Sequence, residues 1–474
     1  MFAGRRVLVA GAGVTGASVV PALVDMGAQV TVTDGNAERL AELEGLGAEL
    51  VPGLSEPPAG TELVVTSPGW RPAAPLLVAA ATAGIEVIGD VELAWRVGRE
   101  RRHPPAWLAV TGTNGKTTTV GMLESILRAD GRNAVACGNV GFAVLEAVLG
   151  GYEVLAVELS SFQLHWSNSV APDASVVVNV AEDHLDWHGS VEAYAADKGK
   201  IHDRSATVVH NVNDSWSTRL AAEHAPASAR RVGFGLDTPG PGELGLVKGV
   251  WGLAPSRGVG AGPPQDTALL VDRAFVDDPA HRAEELCVAS DVRPAGPHNL
   301  ANALAAAALA RAHGVGTGAV AKGLREFRPG AHRAVEVGEV GGVRYINDSK
   351  ATNPHAAAGS LLSHPSVVWI AGGLLKGASV DDLVRTVADH LRAAVLLGAD
   401  AGVIAAALAR HAPNVPVRRL SPGDHEPMTT AVATARELAR PGDVVLLAPA
   451  AASMDMFRDY AQRGDAFAAA VREL

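Results

Sequence analysis

Short apolar runs that alternate with helical stretches predict an α/β fold of three consecutive α/β domains, each a mostly parallel sheet with helices packed on its faces. Two further observations support this. The 474 residues exceed what one ordinary core accommodates. Hydrophobic residues make up 48% of the chain against 19% charged, the balance of a well-packed protein and not of a disordered one.

The first unit opens with a strand over Arg5–Ala10, a helix over Val14–Met26 and a second strand over Gln29–Thr33. Leu63–Thr66 and Glu86–Ile88 continue the pattern. Charge and proline cluster from Arg96 to Pro105, which predicts a linker. The second unit starts at the strand Trp107–Val110, followed by a helix over Thr119–Leu127 and strands over Val154–Glu158 and Ser175–Val180. Glycine and proline crowd Gly233–Pro264, which predicts a loop or irregular strands. Ala/Leu spacing from Asn299 to His313 is helical and leads into a third unit, with strands at Val367–Ala371, Ala393–Leu397 and Val444–Leu447. The chain has no short-period repeat of the solenoid kind.

A formal charge of −11 argues against a nucleic-acid binder, because phosphate backbones are held by clustered cations. Small anionic substrates remain compatible, since a pocket can be basic on an acidic protein. No long apolar core follows Met1–Arg6, so no signal peptide is expected. The Ala-rich stretch Asn302–Ala312 is too short to span a bilayer, and no membrane insertion is expected. Cys137 and Cys287 are the only cysteines and cannot build a disulfide framework; they suit a reducing, cytoplasmic setting. A monomer is expected.

Two glycine loops follow predicted strands. Gly11-Ala12-Gly13-Val14-Thr15-Gly16 fits G-x-G-x-x-G, with Asp34 after the second strand, and would let a diphosphate approach a helix N-terminus. Alone it leaves open a dinucleotide, another nucleotide diphosphate, or turn geometry with no ligand, so an NAD-dependent dehydrogenase is a rival reading. The second loop, Thr111-Gly112-Thr113-Asn114-Gly115-Lys116-Thr117-Thr118, ends in a Lys-Thr pair that opens a helix. Backbone N–H groups would cradle phosphates, Lys116 would reach the outer ones, and the Thr117 hydroxyl would face Mg²⁺. Val110 stands where the strict phosphate-loop pattern has its first glycine.

Polar groups collect near these strand ends. Glu158 closes an apolar strand, where a carboxylate can hold the Mg²⁺ that bridges ATP phosphates. Asn179 and Glu182-Asp183-His184-Leu185-Asp186 follow another, which favours a site role for His184 over that of a surface histidine. Lys198, taken alone, reads as a solvated helix lysine.

Taken in order, these stretches resemble the Mur ligase family, in particular its D-glutamate-adding branch. The shortened loop Gly112–Thr117 is the family's form of the phosphate loop. Leu159-Ser160-Ser161-Phe162-Gln163-Leu164, Glu182–Asp186, Gly296-Pro297-His298-Asn299 with Asn302, His332-Arg333, Asn347–Asn353 and Ser453-Met454-Asp455 leading to Tyr460 also match. The resemblance covers nearly the whole chain.

It implies a Rossmann-like N-terminal domain over 1–93 that binds a UDP-sugar, a central P-loop ATPase-like domain over 94–302, and a Rossmann-like C-terminal domain over 303–474 that binds an amino acid. It implies ATP-dependent joining of D-glutamate to UDP-N-acetylmuramoyl-L-alanine through an acyl phosphate, in cytoplasmic peptidoglycan precursor synthesis. Catalytic Lys116, His184 and Lys198 are implied, as is ATP binding by Gly112, Thr113, Asn114, Gly115, Lys116, Thr117, Thr118, Asn302, Arg333 and Asp348. Two Mg²⁺ ions are implied on Thr117, Glu158, His184 and Lys198, the lysine typically carbamylated in this family. The UDP-substrate set is Gly13, Val14, Thr15, Asp34, Ser67, Pro68, Gly69 and Asn139. The D-glutamate set is Thr352, Lys376, Ser453, Met454 and Tyr460. Asn299, His298 and His332 would shape the nucleotide pocket, and closure of the third domain would complete the site.

Three features depart from the pattern. Gly35-Asn36 replaces a Thr-Arg pair found in some relatives, Pro449-Ala450-Ala451-Ala452-Ser453 has Ala where relatives often carry Cys, and Gly233–Pro264 looks expanded. The nearest alternative is a sister ligase adding another amino acid. Folylpolyglutamate synthetases lack a UDP-sugar-binding first domain, and a non-enzymatic nucleotide switch would not explain the full motif order.

Overall fold

The computed structural model describes residues 1–248, 267–421 and 426–474. These form two compact units: Met1–Asp291 with Ala301–Glu326, and Val292–Leu300 with Phe327–Leu474.

The first unit holds two sheets. One comprises β1 (Arg6–Ala10), β2 (Gln29–Thr33), β3 (Glu49–Leu50), β4 (Leu63–Thr66) and β5 (Glu86–Gly89), all parallel, in the order β3-β2-β1-β4-β5. The apolar β4 is buried at all four positions, as a parallel strand covered on both faces must be.

The other sheet comprises β6 (Ala106–Thr111), β7 (Ala134–Gly138), β8 (Val154–Glu158), β9 (Ala174–Val177), β10 (Thr207–Asn211), β11 (Arg230–Phe234), β12 (Glu243–Lys248), β13 (Ala268–Asp272) and β14 (Glu284–Val288). Its order is β14-β13-β12-β11-β10-β9-β6-β8-β7. Pairing is parallel from β7 to β12 and antiparallel through β13 and β14.

A buried carboxylate joins the two sheets. Glu92, in the helix Asp90–Arg99, accepts the Asn168 and Ser169 N–H groups at 2.8 Å each, the Ser169 hydroxyl at 2.6 Å and Arg96 Nε at 2.8 Å. Arg96 also grips Glu86 with both terminal nitrogens, at 2.9 and 2.6 Å. Burial works against the Glu92 charge, but the donors from Ser169, Asn168 and Arg96 outweigh it and hold the carboxyl below its usual range.

The second unit is built on β15 (Val335–Val340), β16 (Val343–Asn347), β17 (Val367–Gly372), β18 (Leu391–Leu397), β19 (Val417–Arg419) and β20 (Val444–Leu447), in the order β15-β16-β20-β17-β18-β19. Only β15 is antiparallel to its neighbour. Trp369 is fully buried in β17 and donates its indole N–H to the Ala448 carbonyl at 2.7 Å.

Three α/β sheets match the expected class, with local corrections. Arg96–Arg99 are helical, because Arg96 pairs with Glu92 one turn back and with Glu86 on β5, so the irregular linker is only Glu100–Pro105. The helix expected from Thr119 starts at Lys116, directly after the turn at Gly115. β9 stops at Val177, three residues short of Val180. Within Gly233–Pro264, β12 is a regular strand, and residues 249–264 lie outside the described residues. Residues 93 and 94 both lie inside the helix Asp90–Arg99.

Candidate active site

The second loop is framed by its own backbone requirements. Gly112 and Gly115 have φ of 154° and 86°, values that favour glycine. A side chain at Gly115 would also collide with Asn302, which is buried on the helix Pro297–Ala312. Asn179 clamps the loop: its carbonyl takes Thr113 N–H at 2.9 Å, its Oδ1 takes Asn114 N–H at 2.9 Å, and its Nδ2 donates to the Asn114 carbonyl at 3.0 Å. The Thr113 hydroxyl accepts from Ala181 N–H at 2.9 Å and meets the Tyr194 hydroxyl at 3.1 Å. Gly115 then starts the 14-residue helix Lys116–Ala129 without a side-chain cap, leaving the positive helix end to an anion. Lys116 Nζ folds back onto the Gly112 and Thr113 carbonyls at 2.8 and 3.0 Å.

Beside the loop, Glu158 is 2% exposed at the end of β8. Its Oε2 accepts from the Thr117 hydroxyl at 2.7 Å and its Oε1 from Asn139 Nδ2 at 3.0 Å. The structure thus brings Asn139 to Glu158. Among the described residues no group of three or more His, Cys, Asp or Glu side chains stands ready to hold a metal. A carboxylate paired with a hydroxyl nevertheless suits Mg²⁺ in a triphosphate site, where water and phosphate complete the shell.

Lys198 is 1% exposed on the helix Val191–Gly199. Its Nζ donates to the Gly112 carbonyl at 2.9 Å and lies 4.4 Å from the centre of the Tyr194 ring. Burial, reinforced by the nearby Lys116, pushes its pKa well below the ordinary lysine value. His184 has a left-handed backbone, φ 54°, and its ring packs edge-on to Phe162 at 4.9 Å and to Tyr194 at 6.1 Å. Tyr194 therefore neighbours both the histidine and the lysine.

The residue before Lys198 is a hub that the sequence did not mark. Asp197 accepts from His165 Nδ1 at 2.9 Å, His188 Nδ1 at 3.2 Å and Lys200 Nζ at 2.8 Å. Burial opposes its charge, but His165, His188 and Lys200 prevail and hold the carboxyl far below its usual range. His188 also meets the Ser161 hydroxyl at 3.0 Å and stacks on Phe162.

In the first sheet, Gly13 precedes the helix Val14–Asp25 and Val14 is 82% exposed. Thr15 follows in the first turn. Asp34 organises this loop, taking Ala12 N–H and Asn36 N–H at 2.8 Å each. Gly11 has φ 116°, and a side chain there would collide with Ser67, so the Ser67-Pro68-Gly69 turn lies against the glycine loop. A cavity of about 440 Å³ adjoins that turn, lined by Gly69, Trp70, Arg71, Ala73 and Ala74.

The second unit gathers the remaining candidates near the C-terminal ends of its strands. Asp348 follows β16 and accepts Ala334 N–H at 3.2 Å; burial raises its pKa to about 6. Arg333 acts on it through its charge. His332 Nδ1 meets Asn347 Nδ2 at 3.1 Å, and Asn299 Nδ2 meets His298 Nε2 at 2.9 Å. Thr352 is half-buried, with its N–H on the Lys350 carbonyl at 2.8 Å. Lys376 is exposed with φ 53°, a costly conformation for a non-glycine residue. Leu374 and Ala452 exchange backbone hydrogen bonds of 2.9 Å, tying the Lys376 loop to buried Ser453 and exposed Met454. Tyr460 opens the helix Tyr460–Arg472, and its carbonyl takes the Ser349 hydroxyl at 2.7 Å. Arg463, which the sequence also left unmarked, is buried among these loops.

Three family models match in chain order: a Mur ligase MurD-like N-terminal domain over residues 5–89, a Mur ligase middle domain over 110–244, and a Mur ligase glutamate ligase domain over 332–451. The UDP-N-acetylmuramoylalanine–D-glutamate ligase of Streptomyces coelicolor is 55% identical, over 100% of this chain and 99% of its own length. That of Thermobifida fusca is 55% identical, over 99% of each, and that of Mycolicibacterium smegmatis 49%, over 99% and 97%. Among solved structures, the UDP-N-acetylmuramate-alanine ligase of Thermotoga maritima aligns over 99% of both chains with a TM-score of 0.58 and 18% identity. MurF of Acinetobacter baumannii aligns over 89% of this chain and 87% of its own, with a TM-score of 0.58 and 18% identity. At that identity the structural likeness speaks for the fold alone. The full-length identity and the three ordered domains show that this chain belongs to the Mur ligase family.

Proposed function

We propose that this chain is an ATP-dependent ligase that adds D-glutamate to UDP-N-acetylmuramoyl-L-alanine, releasing ADP and phosphate, in cytoplasmic peptidoglycan precursor synthesis. The observation that carries this reading is 55% identity, end to end, with relatives named for that reaction.

A carboxylate at neutral pH is a poor acyl donor, so its oxygen must become a leaving group. In the proposed reaction the terminal carboxylate attacks the γ-phosphate of ATP and ADP departs, giving an acyl phosphate. The amine of D-glutamate then attacks the acyl carbon, and inorganic phosphate leaves from the tetrahedral adduct. Positioning and charge neutralisation are the protein's contribution. The Gly112–Thr118 loop binds the triphosphate, and Lys116 exchanges its two carbonyl partners for the transferring phosphoryl group. Asn302, Arg333 and Asp348 serve the adenosine side. The UDP-sugar binds on residues 1–93 at Gly13, Val14, Thr15, Asp34 and Ser67-Pro68-Gly69, with Asn139 near the reacting end; residues 94–302 bind ATP and residues 303–474 the amino acid. Thr352, Lys376, Ser453, Met454 and Tyr460 receive D-glutamate, whose two carboxylates need a cation and hydroxyl or N–H donors.

Thr117 and Glu158 would hold one Mg²⁺, and His184 with Lys198 a second; such ions neutralise charge on the phosphates. A buried amine whose charge is disfavoured is available as the neutral nucleophile that carbamylation requires, and the product would carry oxygen ligands.

The test is to supply purified protein with UDP-N-acetylmuramoyl-L-alanine, ATP, Mg²⁺ and a panel of amino acids, with ¹⁸O in the substrate carboxylate. ADP release should depend on D-glutamate, and ¹⁸O should appear in inorganic phosphate. Turnover with L-alanine or a diamino acid instead would assign a sister activity, and unlabelled phosphate would rule out the acyl phosphate.

A further inference from the structure

Arg463 is 2% exposed and sits in the first turn of the helix Tyr460–Arg472. Its guanidinium donates to the Ser349 hydroxyl at 3.0 Å, the Ser349 carbonyl at 2.9 Å, the Ala451 carbonyl at 3.1 Å and the Gly372 carbonyl at 3.4 Å. Those acceptors stand at or just beyond the C-terminal ends of β16, β20 and β17, three neighbouring parallel strands. Ligands of open α/β sheets bind outside this edge.

Two features set this arginine apart from an ordinary structural one. All four contacts are to neutral oxygens, and among the described residues no carboxylate lies within ion-pair distance of it. Burying a cation without a paired anion is costly. Asp455 acts on it only at longer range and has its own Oδ2 engaged by Ala399 N–H at 2.8 Å. Burial lowers the guanidinium pKa to about 10, which leaves it protonated at neutral pH. Secondly, each loop it holds carries a member of the proposed amino-acid set. Thr352 follows Ser349, Lys376 follows Gly372, Ser453 and Met454 follow Ala451, and Tyr460 lies one turn before Arg463 itself.

We infer that Arg463 is a positioning residue for the amino-acid substrate: it fixes the three loops that receive the substrate and supplies the buried positive charge that a dianionic amino acid neutralises. The inference rests on the ligase reading above and deepens it. A role confined to capping strand-end carbonyls would stabilise the unit without distinguishing one substrate from another.

The test compares wild type with Arg463→Lys and Arg463→Met. Three things are measured: thermal midpoint, acyl phosphate trapped in the absence of D-glutamate, and KM for each substrate. The expected result is a KM for D-glutamate raised about tenfold in the Lys variant and more in the Met variant. KM for ATP and the UDP-substrate should stay within about twofold, and the trapped acyl phosphate should stay at the wild-type level. The Lys variant keeps the charge, so it decides the matter if the Met variant does not fold. An unchanged KM for D-glutamate in a folded variant, or equal rises in all three KM values, overturns the inference. A wild type that ignores D-glutamate sinks the parent reading instead, and Arg463 is then judged by the same KM comparison on whichever amino acid is used.

Discussion

The Thr117 hydroxyl donates to the Glu158 carboxylate at 2.7 Å, joining the first turn of the helix Lys116–Ala129 to the end of β8. Forty-one residues separate them in sequence, and the parallel pairing of β6 with β8 brings them together. Glu158→Gln keeps the shape but removes the anionic oxygen. Its kcat should fall by about 10²–10³-fold and its half-saturating Mg²⁺ concentration should rise, with UDP-substrate binding nearly unchanged. Steady-state kinetics across a Mg²⁺ series, with calorimetry for the UDP-substrate, checks this. A wild-type Mg²⁺ profile would remove Glu158 from the metal site.

Lys116→Ala tests phosphoryl transfer separately from sugar-nucleotide binding. Lys116 opens the helix after β6, while the Ser67–Gly69 turn follows β4 of the other sheet. ATP-dependent acyl-phosphate formation should be lost, and the dissociation constant of the UDP-substrate should move by less than about threefold. A comparable loss of both would mean that the substitution disturbs the whole unit.

Lys198 offers a chemical test. Its amine is buried against Gly112 and Tyr194, so truncation leaves a gap beside the loop. Lys198→Ala should be inactive and partly rescued by added short carboxylates, which supply the oxygen ligand. Full activity of the untreated variant would place Lys198 outside the reaction.

How much of this was legible in the sequence depends on the range of the interaction. Strands such as Leu63–Thr66, Val154–Glu158 and Val444–Leu447 were read to the residue, because a buried parallel strand must be a continuous apolar run bounded by turn residues. The glycine turn Gly112–Gly115 was equally readable, since its backbone demands glycine at fixed offsets. Asp197, Arg463 and Glu92 were not. Each is a single charged residue on a helix, a pattern that normally means a solvated face, and each is made special only by partners brought in by tertiary packing. The antiparallel strands β13 and β14 were missed because they follow a Gly/Pro-dense stretch that reads as loop.

Asp197 shows what such a hub should be worth. It ties the ends of the helices Ser161–His165 and Leu185–His188 to the helix that carries Lys198. Asp197→Asn should lower stability by about 1–3 kcal/mol at neutral pH, the range for a charged hydrogen-bonded group lost from a mostly buried site. Because folding depresses this carboxyl's pKa, its contribution is present above the unfolded value near 4 and is lost as pH falls below it. The stability gap between wild type and variant should therefore be constant above about pH 5 and narrow below pH 4. A gap that widened on acidification would contradict the hydrogen-bond assignment.

Asp348 titrates in the opposite sense. Burial raises its pKa to about 6 in the folded protein, against an ordinary value of 3.8, so the native state binds its proton more tightly than the unfolded chain. Between those values the native state carries more protons, and stability must fall as pH rises from about 4 to about 6. The Asp348→Asn variant lacks this penalty. Without ligand it should match wild type near pH 4 and exceed it by about 1–3 kcal/mol at pH 7. If the carboxylate serves the ribose of ATP, the same variant should bind ATP more weakly at pH 7, so stability and affinity move in opposite directions. Thermal melts from pH 4 to 7.5 with and without ATP read both effects. A variant less stable than wild type at pH 7, with ATP binding unchanged, would show that Asp348 holds the Ala334 turn in place and does not serve the nucleotide.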